Sequence, residues 1–281
     1  MSEDEKNDTS SLVHLRNKSV TKRSSNLVRR GLNTISRLGT RVIEFPYDRS
    51  VGTLYTVSKP EEYWVKESWI KFGQASGKVK TSANTKLILS VEEFPVNGFW
   101  YDVQHSDEVF KFFLKPYDLQ GLDLSGLFSE SPFLYTQECL SITSSLVGLE
   151  WLSINSAKVL SLSFVSDLVN LIGLDASLTG IFSLAPLEKL KKLRFINLSG
   201  TEIESLEYLS ELIHLEYLVI PEIPAIWDIS FLTHLPNLRV LELDFASYED
   251  CNYEDLWGGL LNDEDLKAIQ EELPNCKIIS Y

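Results

Sequence analysis

Between Val159 and Leu243 an apolar residue returns at nearly every third place, and the whole pattern then returns about every 22 residues. The first copy is Val159, Leu162, Val165, Leu168, Leu171, Leu174 and Ala176. The second is Ile181, Leu184, Leu187, Leu190, Leu193, Ile196 and Leu198. The third is Ile203, Leu206, Leu209, Leu212, Leu215, Leu218 and Ile220, and the fourth is Ile226, Ile229, Leu232, Leu235, Leu238, Leu241 and Leu243. The offsets at Leu174, Ile196, Leu218 and Leu241 are 22, 22 and 23, and all 28 positions are apolar. A fixed period of this length with leucine at every third place marks a solenoid. One repeat cannot bury its own apolar edge, whereas stacked repeats bury it between neighbours.

These residues resemble the leucine-rich-repeat family, in the 22-residue bacterial-type class also seen in internalins and in a regulatory subunit of protein phosphatases. The resemblance is fullest over Leu146–Leu243. It implies an α/β solenoid with a short parallel strand at each L-x-L: Leu152/Ile154, Leu174/Ala176, Ile196/Leu198, Leu218/Ile220 and Leu241/Leu243. Those strands would line a concave face, with turns or 3₁₀ segments on the convex back. One departure concerns the family's usual Asn three places after the L-x-L, which is Ala157, Thr179, Thr201, Ile223 and Ala246 here. That Asn hydrogen-bonds turn backbone; Thr replaces it in part, Ala and Ile do not. Pro224 adds a residue to the fourth copy, and a bulge is expected there.

Three regions follow. Residues 1–40 are polar and basic and read as disordered, with a weak amphipathic helix at Ser25–Gly39. Residues 41–105 read as a β-rich cap module, from the runs Arg41–Phe45, Val51–Val57, Ser68–Phe72, Gly77–Lys80 and Lys86–Val91 with turn signals between them. Its expected role is to cover the first apolar edge of the solenoid. Residues 106–281 form the solenoid itself. A helix is expected at Asp107–Leu114. A degenerate first repeat follows at Leu122-Asp123-Leu124-Ser125-Gly126, which echoes Ile196-Asn197-Leu198-Ser199-Gly200. A longer convex helix around Thr136–Leu146 would absorb the wide spacing to Leu152. Residues 244–281 hold an acidic, aromatic insert and a C-terminal cap. There Asp263 caps a helix through Leu273, and Ile279 and Tyr281 are expected where Leu241 and Leu243 stood. Cys276 takes a leucine place and reads as a buried structural thiol.

Composition narrows the function. The net charge is -14, but residues 1–41 carry nine Lys or Arg against four acids, and Asp244–Glu272 holds ten acids against Lys267. So acidic a folded part argues against nucleic-acid binding by the solenoid, since phosphate contacts need Lys and Arg. The basic tail is suited to touch an acidic surface, the chain's own included. Three scattered cysteines, Cys139, Cys251 and Cys276, read as reduced thiols in a cytoplasmic protein. The N-terminus lacks the pattern of a secretory signal, and no run approaches a bilayer span. Phosphate loops, dinucleotide fingerprints, zinc motifs and nucleophile elbows are absent, so no cofactor, metal or catalytic residue is expected.

What remains is a surface. The ladder residues of each strand point inward, so their neighbours point out. Just before each L-x-L stand Trp151, Gly173, Phe195, Tyr217 and Val240; inside it stand Ser153, Asp175, Asn197, Val219 and Glu242, with Asp244 beyond. An aromatic stripe beside carboxylates has the make-up of an interface hot spot. The expected partner site is therefore Trp151, Asp175, Phe195, Asn197, Tyr217, Glu242 and Asp244, suited to a protein with basic and apolar groups. The bland alternative has Phe195 and Tyr217 covering the sheet edge or packing on the Tyr248–Trp257 insert. The function so read is a non-catalytic protein-binding module; the alternative is a structural or regulatory subunit of a larger intracellular assembly.

Overall fold

The computed structural model describes residues 40–45, 52–58, 63–91, 119–125, 140–221, 230–244 and 263–280. The expected helices at Ser25–Gly39 and Asp107–Leu114, the bulge at Pro224, most of the acidic insert and any contact of the basic tail lie outside them.

The described strands are β1 (Thr40–Glu44), β2 (Thr53–Val57), β3 (Trp69–Gln74), β4 (Lys78–Ser82), β5 (Ile88–Ser90), β6 (Gly121–Asp123), β7 (Trp151–Ser153), β8 (Gly173–Asp175), β9 (Phe195–Asn197), β10 (Tyr217–Pro221), β11 (Val240–Asp244) and β12 (Lys277–Ser280). Ten of them make one sheet, ordered β12-β11-β10-β9-β8-β7-β6-β5-β2-β3. From β5 to β12 every pairing is parallel. This is the leucine-rich-repeat solenoid that the period implies. Its convex side among the described residues is 3₁₀, at Ser141–Ser145, Ser163–Val165, Ala185–Leu187, Glu207–Glu211 and Ser230–His234. The one described α-helix, α1, spans Asp263–Glu272.

The ladder is the core. Every described ladder residue from Val159 to Leu243 is at most 6% exposed. Each fully buried leucine contributes about 1.5–3 kcal/mol relative to exposure, and the stacking repeats it in every layer. At the start of each inner strand, one carbonyl of the preceding layer accepts two consecutive amides. Glu150 O takes Ile172 N and Gly173 N, and Arg194 O takes Glu216 N and Tyr217 N, at 2.8–3.0 Å.

The turn after each strand has its own repeat. Asp123, Asp175 and Asn197 turn an Oδ1 back onto the amide two residues on, at Ser125, Ser177 and Ser199, at 3.0–3.2 Å. Two of those serines also donate their hydroxyls to the same carboxylates. Three places after Ser153, Asp175 and Asn197 the backbone enters the left-handed region, at Ser156, Leu178 and Gly200, φ 56–65°. Where the family's Asn would stand, Thr179 and Thr201 donate Oγ1 to the carbonyls of Ala176 and Leu198, at 2.7 and 2.5 Å. Thr is thus the partial substitute expected, closing its own turn.

Two expectations change. Strand β12 is one residue out: Leu241 pairs with Ile278 and Leu243 with Ser280, not with Ile279 and Tyr281. The turn leaving α1 matches the earlier one, with Cys276 N on Leu273 O at 3.0 Å and Leu238 N on Leu235 O at 3.1 Å. At the strand start, Arg239 and Val240 both donate to Glu216 O, whereas Lys277 donates to Arg239 O in the step straight after Cys276. The last layer therefore uses one residue fewer. Cys276 is buried as expected, and that burial pushes its thiol up. The second change is at the other end. The solenoid's parallel pairing begins at β5, one layer before the degenerate repeat at Leu122. Strands β2 and β3 continue the same sheet antiparallel, and Leu54, Leu87, Leu89 and Val91 join the ladder core. Only β1 and β4 stand apart, as a two-stranded antiparallel sheet. No helix among the described residues is long and apolar enough to cross a membrane.

Candidate functional site

Parallel registration brings the residues before each L-x-L into one row across the concave face. Ile88, Gly121, Trp151, Gly173, Phe195, Tyr217, Val240 and Lys277 are successive partners. Large and absent side chains alternate at its start. A Cβ on Gly173 would lie 2.6 Å from Trp151 Cε3, and one on Gly121 2.6 Å from Ile88 Cγ1. The Trp151 ring therefore lies down over β8, in space its neighbour vacates.

That row is not bare. Residues 63–68, between β2 and β3, form an arm that crosses it. Tyr63 is fully buried, and with Ile88, Trp151 and Phe195 it makes a second apolar cluster on the concave side. Trp64 stacks on Phe195, centroids 5.2 Å apart and planes 10° apart. Phe195 in turn meets Trp151 at 5.7 Å and Tyr217 at 5.5 Å. Such aromatic pairs add about 0.5–1.5 kcal/mol each beyond area burial.

Polar clasps hold the arm. Tyr63 donates its hydroxyl to Glu150 Oε2 at 2.6 Å, and Lys86 Nζ donates to the same oxygen at 2.5 Å. Burial first, then the Glu150 carboxylate, drives the Tyr63 phenol well above its ordinary range. Lys66 Nζ reaches Asp123 Oδ2 at 3.2 Å, and Trp69 Nε1 donates to the Tyr63 carbonyl at 2.8 Å. Asp123 is buried, so its pairing with Lys66 is screened less than a surface pair.

Beyond the arm the face opens into a groove of about 420 Å³. The arm contributes Trp64, Val65 and Glu67; the sheet contributes Phe195, Asn197, Ser199, Tyr217, Val219 and Glu242. On its floor Tyr217 donates its hydroxyl to Glu242 Oε2 at 3.1 Å. Arg194, behind Trp64 at 6.0 Å from the ring centroid, is held by Glu216 through two bonds of 2.8 and 3.0 Å.

The seven expected site residues therefore divide. Trp151 and Phe195 are 2% and 8% exposed, so the expected open stripe is corrected there: the arm's own aromatics already cover both. Asp175 and Asn197 spend an oxygen each on their turns, and Asp175 Oδ2 also accepts Ser153 Oγ at 3.3 Å. Asn197, Tyr217 and Glu242 come together in the groove. Asp244 ends β11 beside Pro221, and its side chain lies outside the described ones. The alternative cover, Tyr248–Trp257, lies outside the described residues as well. Trp64, Val65 and Glu67 were missed. Their signal was Tyr63-Trp64 in a loop, opposite a glycine-interrupted aromatic row, a pattern of packing more than of display.

No protein-family model matches the chain, and no curated protein matches it at a significant level. Solved structures do. Internalin C2 of Listeria monocytogenes is 25% identical over 47% of this chain and 57% of its own, with a TM-score of 0.39. A leucine-rich-repeat protein of Leptospira interrogans is 20% identical over 67% of this chain and 40% of its own, TM-score 0.41. The receptor TLR13, in its complex with ssRNA13, is 30% identical over 49% of this chain and 20% of its own, TM-score 0.40. The chain thus spans less than two thirds of the length of these structures. The 22-residue period, the buried ladder and the parallel strands at each L-x-L give the chain the leucine-rich-repeat solenoid fold.

Proposed function

We propose that the chain is a non-catalytic protein-binding module that takes a segment of another protein in the groove beside the arm. One observation carries this reading: the arm seals the concave face at Trp151 and Phe195 and leaves a bounded, aromatic-walled groove over β9–β11. A recognition site of this kind needs buried anchors supported from behind and a polar rim. Trp64 on Phe195 supplies the rigid wall, Tyr217 and Val219 the floor, and Glu67 and Glu242 the rim. The acidic rim favours a protein segment here over RNA. A reducing, cytoplasmic setting, read from the scattered cysteines, belongs to the same proposal.

Panning a displayed random-peptide library against the full chain tests it. Enriched peptides are expected to lose about 1–2 kcal/mol on Tyr217→Ala, as an anchor should, and nothing on Val169→Ser, which lies away from the strands. If no enriched peptide distinguishes wild type from Tyr217→Ala, the groove is not the binding site.

A further inference from the structure

Resting on the groove reading, we propose that the groove takes a basic side chain, Lys or Arg, of the bound segment, between the Tyr217 ring and the carboxylates of Glu242 and Glu67. The molecule contains the same arrangement already filled. Tyr63 donates to Glu150 Oε2, Lys86 donates to that oxygen, and the Lys86 ammonium lies 5.9 Å from the Tyr63 ring centroid. The tyrosine orients the carboxylate, and ring and carboxylate together hold the cation. In the groove Tyr217 and Glu242 repeat the donor–acceptor pair across β10 and β11, at 3.1 Å.

The surroundings agree in sign. Two cations beside the groove are paired elsewhere: Arg194 with Glu216, and Lys66 with Asp123. Among its lining residues the charged groups are Glu67 and Glu242. Val219 and the Phe195–Trp64 stack give the methylene stem of a Lys or Arg an apolar bed while its head meets the carboxylates. Glu242 is half-buried, so its charge is screened less than a surface carboxylate's.

The test titrates the full chain with N-acetyl-lysine methylamide, N-acetyl-arginine methylamide and the uncharged N-acetyl-norleucine methylamide, following the Trp64 indole signal by NMR. Trp64→Phe assigns that signal. The two cationic probes are expected to bind roughly 10-fold more tightly than the norleucine probe, and more weakly as salt is raised. Glu242→Gln, with an unchanged melt, is expected to erase that difference, and Glu242→Asp to restore part of it. Equal binding of all three probes, no response to any of them, or indifference to Glu242→Gln would overturn the proposal. Groove peptides that depend on Tyr217 but carry no basic residue would leave the groove reading standing and remove this one.

Discussion

On one face of the central strands, Leu174, Ile196 and Leu218 form a row in which every residue meets a neighbour of its own kind. On the other face the row reads Trp151, Gly173, Phe195, Tyr217, aromatics of different size interrupted by a glycine. Both rows are largely buried. The inner one is buried by repetition: each layer covers the one before, and any layer of the right size serves. The outer one is buried by a segment from elsewhere in the chain, so each position must fit a particular partner. Gly173 accommodates Trp151, Trp64 covers Phe195, and Tyr63 finds Glu150. A solenoid core tolerates averages, whereas a face closed by an arm depends on individual shapes.

Three substitutions and one control probe that contrast. The largest effect is expected inside the ladder. Leu193 is fully buried, and Leu193→Asp would place an unpaired charge between two layers, costing several kcal/mol. Circular dichroism should register gross loss of structure; an unchanged melt would refute the register. A smaller effect is expected on the outer row. Gly173→Ala sets a methyl 2.6 Å from Trp151, and the cost is about 1–3 kcal/mol by denaturant midpoint. Gly148→Ala, which meets nothing within 4 Å, should stay within about 0.5 kcal/mol. Equal midpoints for the two would remove the idea that Trp151 packs over β8.

The finest test is Tyr63→Phe, which keeps the ring and deletes the bond to Glu150, at about 1–2 kcal/mol near neutral pH. Its pH dependence has a definite sign. The folded phenol titrates above its ordinary value of 10.0, so the folded state holds this proton where the unfolded state has lost it. The contribution is full below about pH 10 and falls as pH rises above it. Wild type should therefore lose stability between about pH 10 and 11 more steeply than Tyr63→Phe. Parallel profiles would mean that the arm does not bury Tyr63 in solution.

How much was legible follows from the same contrast. The period located β7 to β11, and the helix signal beginning at Asp263 located α1. The strands β1 to β5 fell near their β-branched and aromatic runs. Asp175 and Asn197 read as display residues alone, but each also spends an oxygen on its turn, and the serines two places on were visible. An Asx turn uses the same side chain as a binding surface, and only the bond to Ser177 or Ser199 tells them apart. The shift of β12 was hidden because a matching turn at Leu273–Cys276 does not fix the number of residues to the next strand.

Sequence by itself determined the layers. Burial of a repeated edge is a nearest-neighbour problem, and each 22-residue copy carries its own solution. Only the tertiary structure decided which part of the concave face stays open. The arm reaches Glu150 from Tyr63 and Asp123 from Lys66, separations of 87 and 57 residues. No local pattern encodes contacts that distant. They form because large aromatic rings left in water are unfavourable, and one loop with complementary rings and charges is within reach to cover them.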